Sequence, residues 1–140
     1  MNMIEEYKEI LGKTNEIALA TSVHDVPNVR IVSFCLDPER PDVLLFATDR
    51  ENRKVVEFAQ NRRVAFTSIP HGGIAHVRSV QAVVEKSAYS LKDVERLFVS
   101  TIPDYAETIA AIGDTLDVFE IHVREATIVT GYEKPDSIVF

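Results

Sequence analysis

The sequence has no tryptophan and one cysteine, Cys35, among its 140 residues. A single thiol cannot close an internal disulfide, so a disulfide scaffold and a cysteine-based zinc ribbon are excluded and a reducing compartment fits. No apolar run approaches the roughly 20 residues that a membrane-spanning helix needs. The opening MNMIEEYKEI lacks the basic head and apolar stretch of a secretory leader, so a cytoplasmic location is expected. Basic residues are in deficit: 15 Lys+Arg stand against 22 Asp+Glu, a net charge of −7. That balance argues against nucleic acid or an anionic membrane as partner, since both select a basic surface. Phosphate-binding loops of the GxxxxGK[ST] or GxGxxG kind are missing, and so are GxSxG and HExxH. His24, His71, His76 and His122 are scattered, with no cysteine or carboxylate joining two of them at ligand spacing. They read as surface or locally hydrogen-bonded histidines, and no metal is expected. Cys35 lies in an apolar stretch with nothing nearby to lower its pKa, and reads as a buried, inert thiol.

What remains is the make-up of an ordinary globular domain. At 46% hydrophobic and 26% charged residues, the chain has room for one core, and 1–140 is expected to be a single domain. Internal repeats and low-complexity segments are missing, and the 6 prolines and 5 glycines fall at joints. Asn2 is placed to cap a helix whose apolar positions Met3, Ile4, Tyr7, Ile10 and Leu11 follow the helical period. Strands are expected at 17–23, 29–36, 43–48, 64–69 and 74–86, the last long enough to be curved or bulged. His24-Asp25-Val26-Pro27-Asn28 is turn chemistry, and Pro70-His71-Gly72-Gly73 is a second turn.

Helices are expected at 51–60, after the capping box Ser90-Leu91-Lys92-Asp93, and at 106–112 before Gly113. A final long strand alternates, with Phe119, Ile121 and Val123 inward and Glu120, His122 and Arg124 outward. Six or seven strands, mostly adjacent in sequence and with helices inserted singly, do not make a parallel βαβ sheet. The pattern is mainly β with inserted helices, and an antiparallel barrel fits it.

The carboxylates mostly read as solvated, and no general acid–base pair stands out. Charge does concentrate at one place: Arg50, Arg53, Lys54, Arg62 and Arg63 crowd around the helix at 51–60. Arg53 and Lys54 fall in its first turn, where cations oppose the helix dipole unless an anion sits there. A helix N-terminus offers N–H groups to a phosphate, and Arg plus Lys strengthen such a site. A solvated basic patch is the plainer alternative.

The stretch Phe46-Ala47-Thr48-Asp49-Arg50-Glu51-Asn52-Arg53-Lys54 resembles the strand-to-helix signature of the pyridoxamine 5′-phosphate oxidase family. In it an aromatic residue and a threonine end a strand, and a basic pair opens a helix five residues on. The continuation to Asn61-Arg62-Arg63-Val64-Ala65-Phe66, the upstream Pro27-Asn28-Val29-Arg30-Ile31-Val32 and the downstream His76-Val77-Arg78-Ser79-Val80-Gln81 are similar to further family segments.

The resemblance implies a six-stranded antiparallel split β-barrel of the FMN-binding type, working as a homodimer with FMN at the subunit interface. Carried over by position, Arg30, Ile31, Val32 and Ser33 line the flavin and its ribityl chain, and Ala47 and Thr48 also touch the cofactor. Arg53 and Lys54 hold its phosphate, and His76 reaches the flavin of the partner subunit. Where the vitamin B6 oxidases carry a substrate-binding lysine, this chain has Cys35, and their C-terminal Arg-x-His segment is missing. The general-stress or nitroimidazole-resistance branches are the better likeness. The expected function is an FMN-dependent oxidoreductase with a small-molecule substrate or a nicotinamide electron donor and no catalytic side chain of its own. Two alternatives stay open: a non-catalytic barrel holding flavin, deazaflavin or haem, with His76 or His122 as axial ligand, and a cofactor-free dimer. A weak hint of dimerisation comes from the strand at 29–36, with Ile31 on one face and Val32 and Phe34 on the other.

Overall fold

A computed structural model describes residues 2–140. Helix α1 (Met3–Gly12) is capped by Asn2, whose side chain accepts the Glu5 N–H. Strands β1 (Glu16–Val23) and β2 (Val26–Ser33) form a hairpin with Val23 opposite Val26. Its loop is only His24 and Asp25, both at positive φ (51° and 63°), the conformation that matches strand twist in a two-residue turn. The turn is therefore shorter than expected, and Val26, Pro27 and Asn28 belong to β2. Pro27 is tolerated there because β2 is an edge strand.

After Phe34 come β3 (Cys35–Leu36), β4 (Val43–Asp49), α2 (Arg53–Gln60), β5 (Arg63–Ser68) and β6 (His76–Lys86). Next are α3 (Leu91–Thr101), α4 (Tyr105–Ile112), a 3₁₀ turn (Gly113–Thr115), β7 (Leu116–Val129) and β8 (Asp136–Val139). All strand pairs are antiparallel, in the order β2-β1-β5-β6-β7-β4-β3, and β8 pairs the outer half of β7. The two ends of that path, β2 and β3, are separated in sequence by Phe34 alone, so the sheet curls until its ends meet. Phe34 is fully buried, and its N–H donates to the Asn15 carbonyl, carrying the β1–β2 ladder one residue past Ser33. With β2 and β3 counted as one strand broken at Phe34, the barrel has the six strands expected; β8 is an addition. The register of β6 shifts between Arg78 and Ala82, a bulge that bends this long strand around the barrel.

Two apolar clusters hold the fold. The barrel interior packs Ile17, Leu19, Phe46, Phe58, Phe66, Phe119 and Ile121, with Phe46 stacked on Phe119 at 5.6 Å. The second lies outside the barrel wall, where Val94 and Phe98 of α3, Ile102 just after it and Tyr105 of α4 cover Cys35, Val43, Leu45 and Val118. Strand β4 is thus covered on both faces, which is why Val43-Leu44-Leu45-Phe46 is continuously apolar instead of alternating. The capping box at α3 forms as expected: Ser90 Oγ accepts the Asp93 N–H while the Asp93 carboxylate accepts the Ser90 N–H. Among the described residues no helix is long and apolar enough to cross a membrane.

Candidate cofactor cleft

A cleft of about 370 Å³ opens where the end of β2, the end of β4, the start of α2 and the α3–α4 corner converge. Ile31, Val32, Ser33, Ala47, Thr48 and Lys54 line it, together with Asn52, Ile102, Pro103, Tyr105 and Ile112. Six of the nine residues suggested by the sequence therefore share one concavity. Its two ends differ in chemistry.

At the polar end Lys54 is half-buried and donates from Nζ to Thr48 Oγ1 at 2.8 Å. Burial, and then the positive charge of Arg30, hold its amine below the ordinary lysine pKa, partly offset by Asp49 and Glu57. Asn52 caps α2 and its Oδ1 accepts the Lys54 N–H at 3.0 Å, while its carbonyl accepts the Val55 N–H. These two N–H groups are already used, so attraction for an anion here rests on the Lys54 ammonium more than on the helix backbone. At the apolar end Ile31 is 56% exposed, facing Ile102 and the α3–α4 corner across the opening. Burial pushes the Tyr105 hydroxyl up to about 12, with a contribution from Cys35, so it stays protonated at neutral pH. Asp104, just before it, holds α4's N-cap position at φ 61°.

Three residues suggested by the sequence lie elsewhere in the protomer. The Arg30 side chain turns to the opposite face of β2 from Ile31. Its guanidinium donates to Thr21 Oγ1 (3.0 Å) and the Leu19 carbonyl (3.3 Å), and pairs with the Glu57 carboxylate. Arg53 opens α2 with its side chain 85% exposed and Nε 3.7 Å from Glu57. His76 begins β6, opposite Val129 at the far end of β7, whereas the cleft is at Leu116. Those ends are on the order of 40 Å apart along the strand. The His76 Nδ1 meets the Ile74 carbonyl at 2.7 Å.

Two of the buried carboxylates, Glu57 and Glu120, carry no sign of their burial in the sequence. Burial pushes the Glu57 carboxyl up, but hydrogen bonds from Thr21, Asn28 and Arg30 outweigh that and hold it below the usual range. Glu120, placed outward by strand alternation, is buried on that outward side. There Arg40 grips it with two hydrogen bonds (3.1 and 2.8 Å), Ser87 donates at 2.7 Å and His122 lies at 2.8 Å. Burial raises the Glu120 carboxyl too, but these partners bring it down to about 2. His122 also meets Glu85 at 2.9 Å, so both carboxylates occupy its Nε2. Cys35 is buried as expected, and burial pushes its thiol up to about 12.

Solved structures share the fold. A NimC/NimA family protein from Clostridium acetobutylicum is 17% identical, covering 99% of this chain and 95% of its own, with a TM-score of 0.69. General Stress Protein 26 from Bacillus anthracis is 15% identical over the full length of both chains, at a TM-score of 0.68. A heme binding protein from Mycobacterium smegmatis is 18% identical over 99% of this chain, at 0.71, and this chain spans 58% of that protein's length. No curated protein matches the sequence. The model of the family described as pyridoxamine 5′-phosphate oxidase-like matches residues 10–134, nearly the whole barrel and both flanking helices, and this chain belongs to that family.

Proposed function

We propose that this protein binds FMN in the cleft between β2, β4 and α2, works as a homodimer, and is an oxidoreductase. The observation that carries the reading is Lys54: a half-buried cation, without an ion-pair partner among the described residues, at the mouth of a cleft whose other end is apolar. A phosphate monoester on a large planar ring system suits such a site, with the phosphate at Lys54 and Thr48 and the ring against Ile31, Ala47 and the α3–α4 corner. When bound, FMN supplies hydride and electron transfer to a small-molecule substrate or from a donor such as a nicotinamide. The chain's own residues bind and orient: Lys54 and Thr48 hold the anion, and Ile31, Ile102 and Tyr105 exclude water.

The outer face of β2 supports the dimer. Val29 is 64% and Ile31 56% exposed, so this edge strand presents apolar side chains that a second subunit would cover. Titration of the purified dimer with FMN and with riboflavin tests the reading: tight FMN binding and weaker riboflavin binding support it, and no binding of either refutes it.

One observation favours haem as a second reading. With the His76 Nδ1 donating to the Ile74 carbonyl, its Nε2 keeps a lone pair that would be available to bind haem iron, whereas both carboxylates engage Nε2 of His122. A Soret band on haem addition, abolished by His76→Ala, is the result that selects it.

A further inference from the structure

We infer that Glu57 is a positioning residue for the anion end of the cleft: its carboxylate draws Arg30 away from the cleft and leaves Lys54 as the cation that meets the ligand. This rests on the proposed phosphate site and alters its membership, because it makes Arg30 a brace instead of a direct ligand. The geometry is specific. The Glu57 carboxylate, buried on α2, accepts from Thr21 Oγ1 on β1 at 2.9 Å and from Asn28 Nδ2 on β2 at 3.3 Å, and pairs with Arg30. One buried carboxylate thus ties the β1–β2 hairpin to the helix that carries Lys54 (Thr21 and Asn28 are themselves register partners).

Arg30 is committed on several sides. Besides Glu57 it donates to the Leu19 carbonyl and to Thr21 Oγ1, and its side chain is 20% exposed. Turning it toward the cleft would strand Glu57 as an uncompensated buried charge. Arg53, 3.7 Å from the same carboxylate but mostly in water, cannot take over that role. The charges facing Lys54 are then Arg30, which disfavours its protonated form, and Asp49 and Glu57, which favour it. Burial is the main influence on how readily Lys54 carries the charge that an anion needs, and the Glu57–Arg30 pair adjusts it.

The test uses the full-length wild type, Glu57→Gln, Arg30→Gln, the double variant and Lys54→Met. Two readouts are taken: the ratio of FMN to riboflavin affinity, and the pKa of the Lys54 amine by NMR, assigned with Lys54→Arg. Arg30→Gln is expected to leave the FMN-to-riboflavin ratio within about twofold of wild type while Tm falls by ~10 °C. Lys54→Met lowers the ratio about tenfold or more. The Lys54 pKa is expected to fall in Glu57→Gln, rise in Arg30→Gln, and return toward wild type in the double variant, which regains most of the lost Tm. A drop in the ratio for Arg30→Gln as large as for Lys54→Met overturns the proposal, since Arg30 is then a ligand. A Lys54 pKa that stays put across the folded variants also overturns it, leaving Glu57 a structural group only. If the wild type binds neither flavin, the proposed function fails, and the Lys54 titration still decides the role of Glu57.

Discussion

Replacing Lys54 with Met separates the phosphate end of the cleft from the rest of the flavin site. Methionine keeps an unbranched apolar stem, so the change removes chiefly the ammonium and its 2.8 Å bond to Thr48. A hydrogen bond to a charged group contributes about 1.5–3 kcal/mol, so FMN affinity should fall by roughly 10- to 150-fold. Arg53→Met gives a contrast: that side chain is 85% exposed, and a screened surface charge contributes about 1 kcal/mol at most, or less than roughly fivefold. Riboflavin has no phosphate, so both variants should bind it as the wild type does. Because the Lys54 amine titrates below the ordinary lysine value, FMN affinity should also fade at a lower alkaline pH than an unperturbed lysine would allow. The assay is quenching of flavin fluorescence, titrated with protein at several pH values. Equal losses for FMN and riboflavin, or a loss in Arg53→Met matching that in Lys54→Met, would refute the assignment of the phosphate to Lys54.

Three further outcomes follow from the same structure. Ile31→Glu, at a position 56% exposed in one protomer, should yield a folded monomer in analytical ultracentrifugation; a dimer that persists contradicts β2 as the subunit interface. The Glu120 carboxyl is held at about 2 in the fold, below its unfolded value of about 4.3. Its stabilisation, on the order of 3 kcal/mol, is thus complete above that unfolded value and lost as pH falls toward 2. Urea melts between pH 5 and pH 2 should show a shallower stability loss for Glu120→Gln than for wild type, and identical slopes would sink the argument. Cys35, 1% exposed with its thiol pushed up to about 12, should react with a disulfide reagent at pH 8 only as fast as the protein unfolds; rapid stoichiometric labelling of the native protein contradicts its burial.

Much of the barrel was legible because its signals are local. The unbroken apolar run Val43-Leu44-Leu45-Phe46 marks a strand covered on both faces, Ser90 and Asp93 announce α3, and the length of the strand ending at Lys86 already suggested its bulge. The joint at 24–28 misled because Pro27 and Asn28 carry turn chemistry, yet the edge position of β2 accommodates both. Strand β8 was missed: Asp136-Ser137-Ile138-Val139 is short and half polar, and only its pairing with 125–128 makes it a strand. The basic pair at α2 pointed to the polar end of the cleft, but not to the difference between an exposed Arg53 and a half-buried Lys54. Glu57 and Glu120 were invisible for a stricter reason. The arginines that hydrogen-bond them, Arg30 and Arg40, lie 27 and 80 residues away in sequence, and the nearby Arg53 of Glu57 is the kind of i,i+4 pair that solvated carboxylates also show.

The most direct test of the account is the near-ultraviolet and visible absorbance of the protein, recorded as purified and again after FMN addition and desalting. Retained bands near ~375 and ~450 nm are predicted, and Lys54→Met should lose them on desalting. A spectrum without those bands in both wild-type samples would contradict FMN binding while leaving the barrel intact.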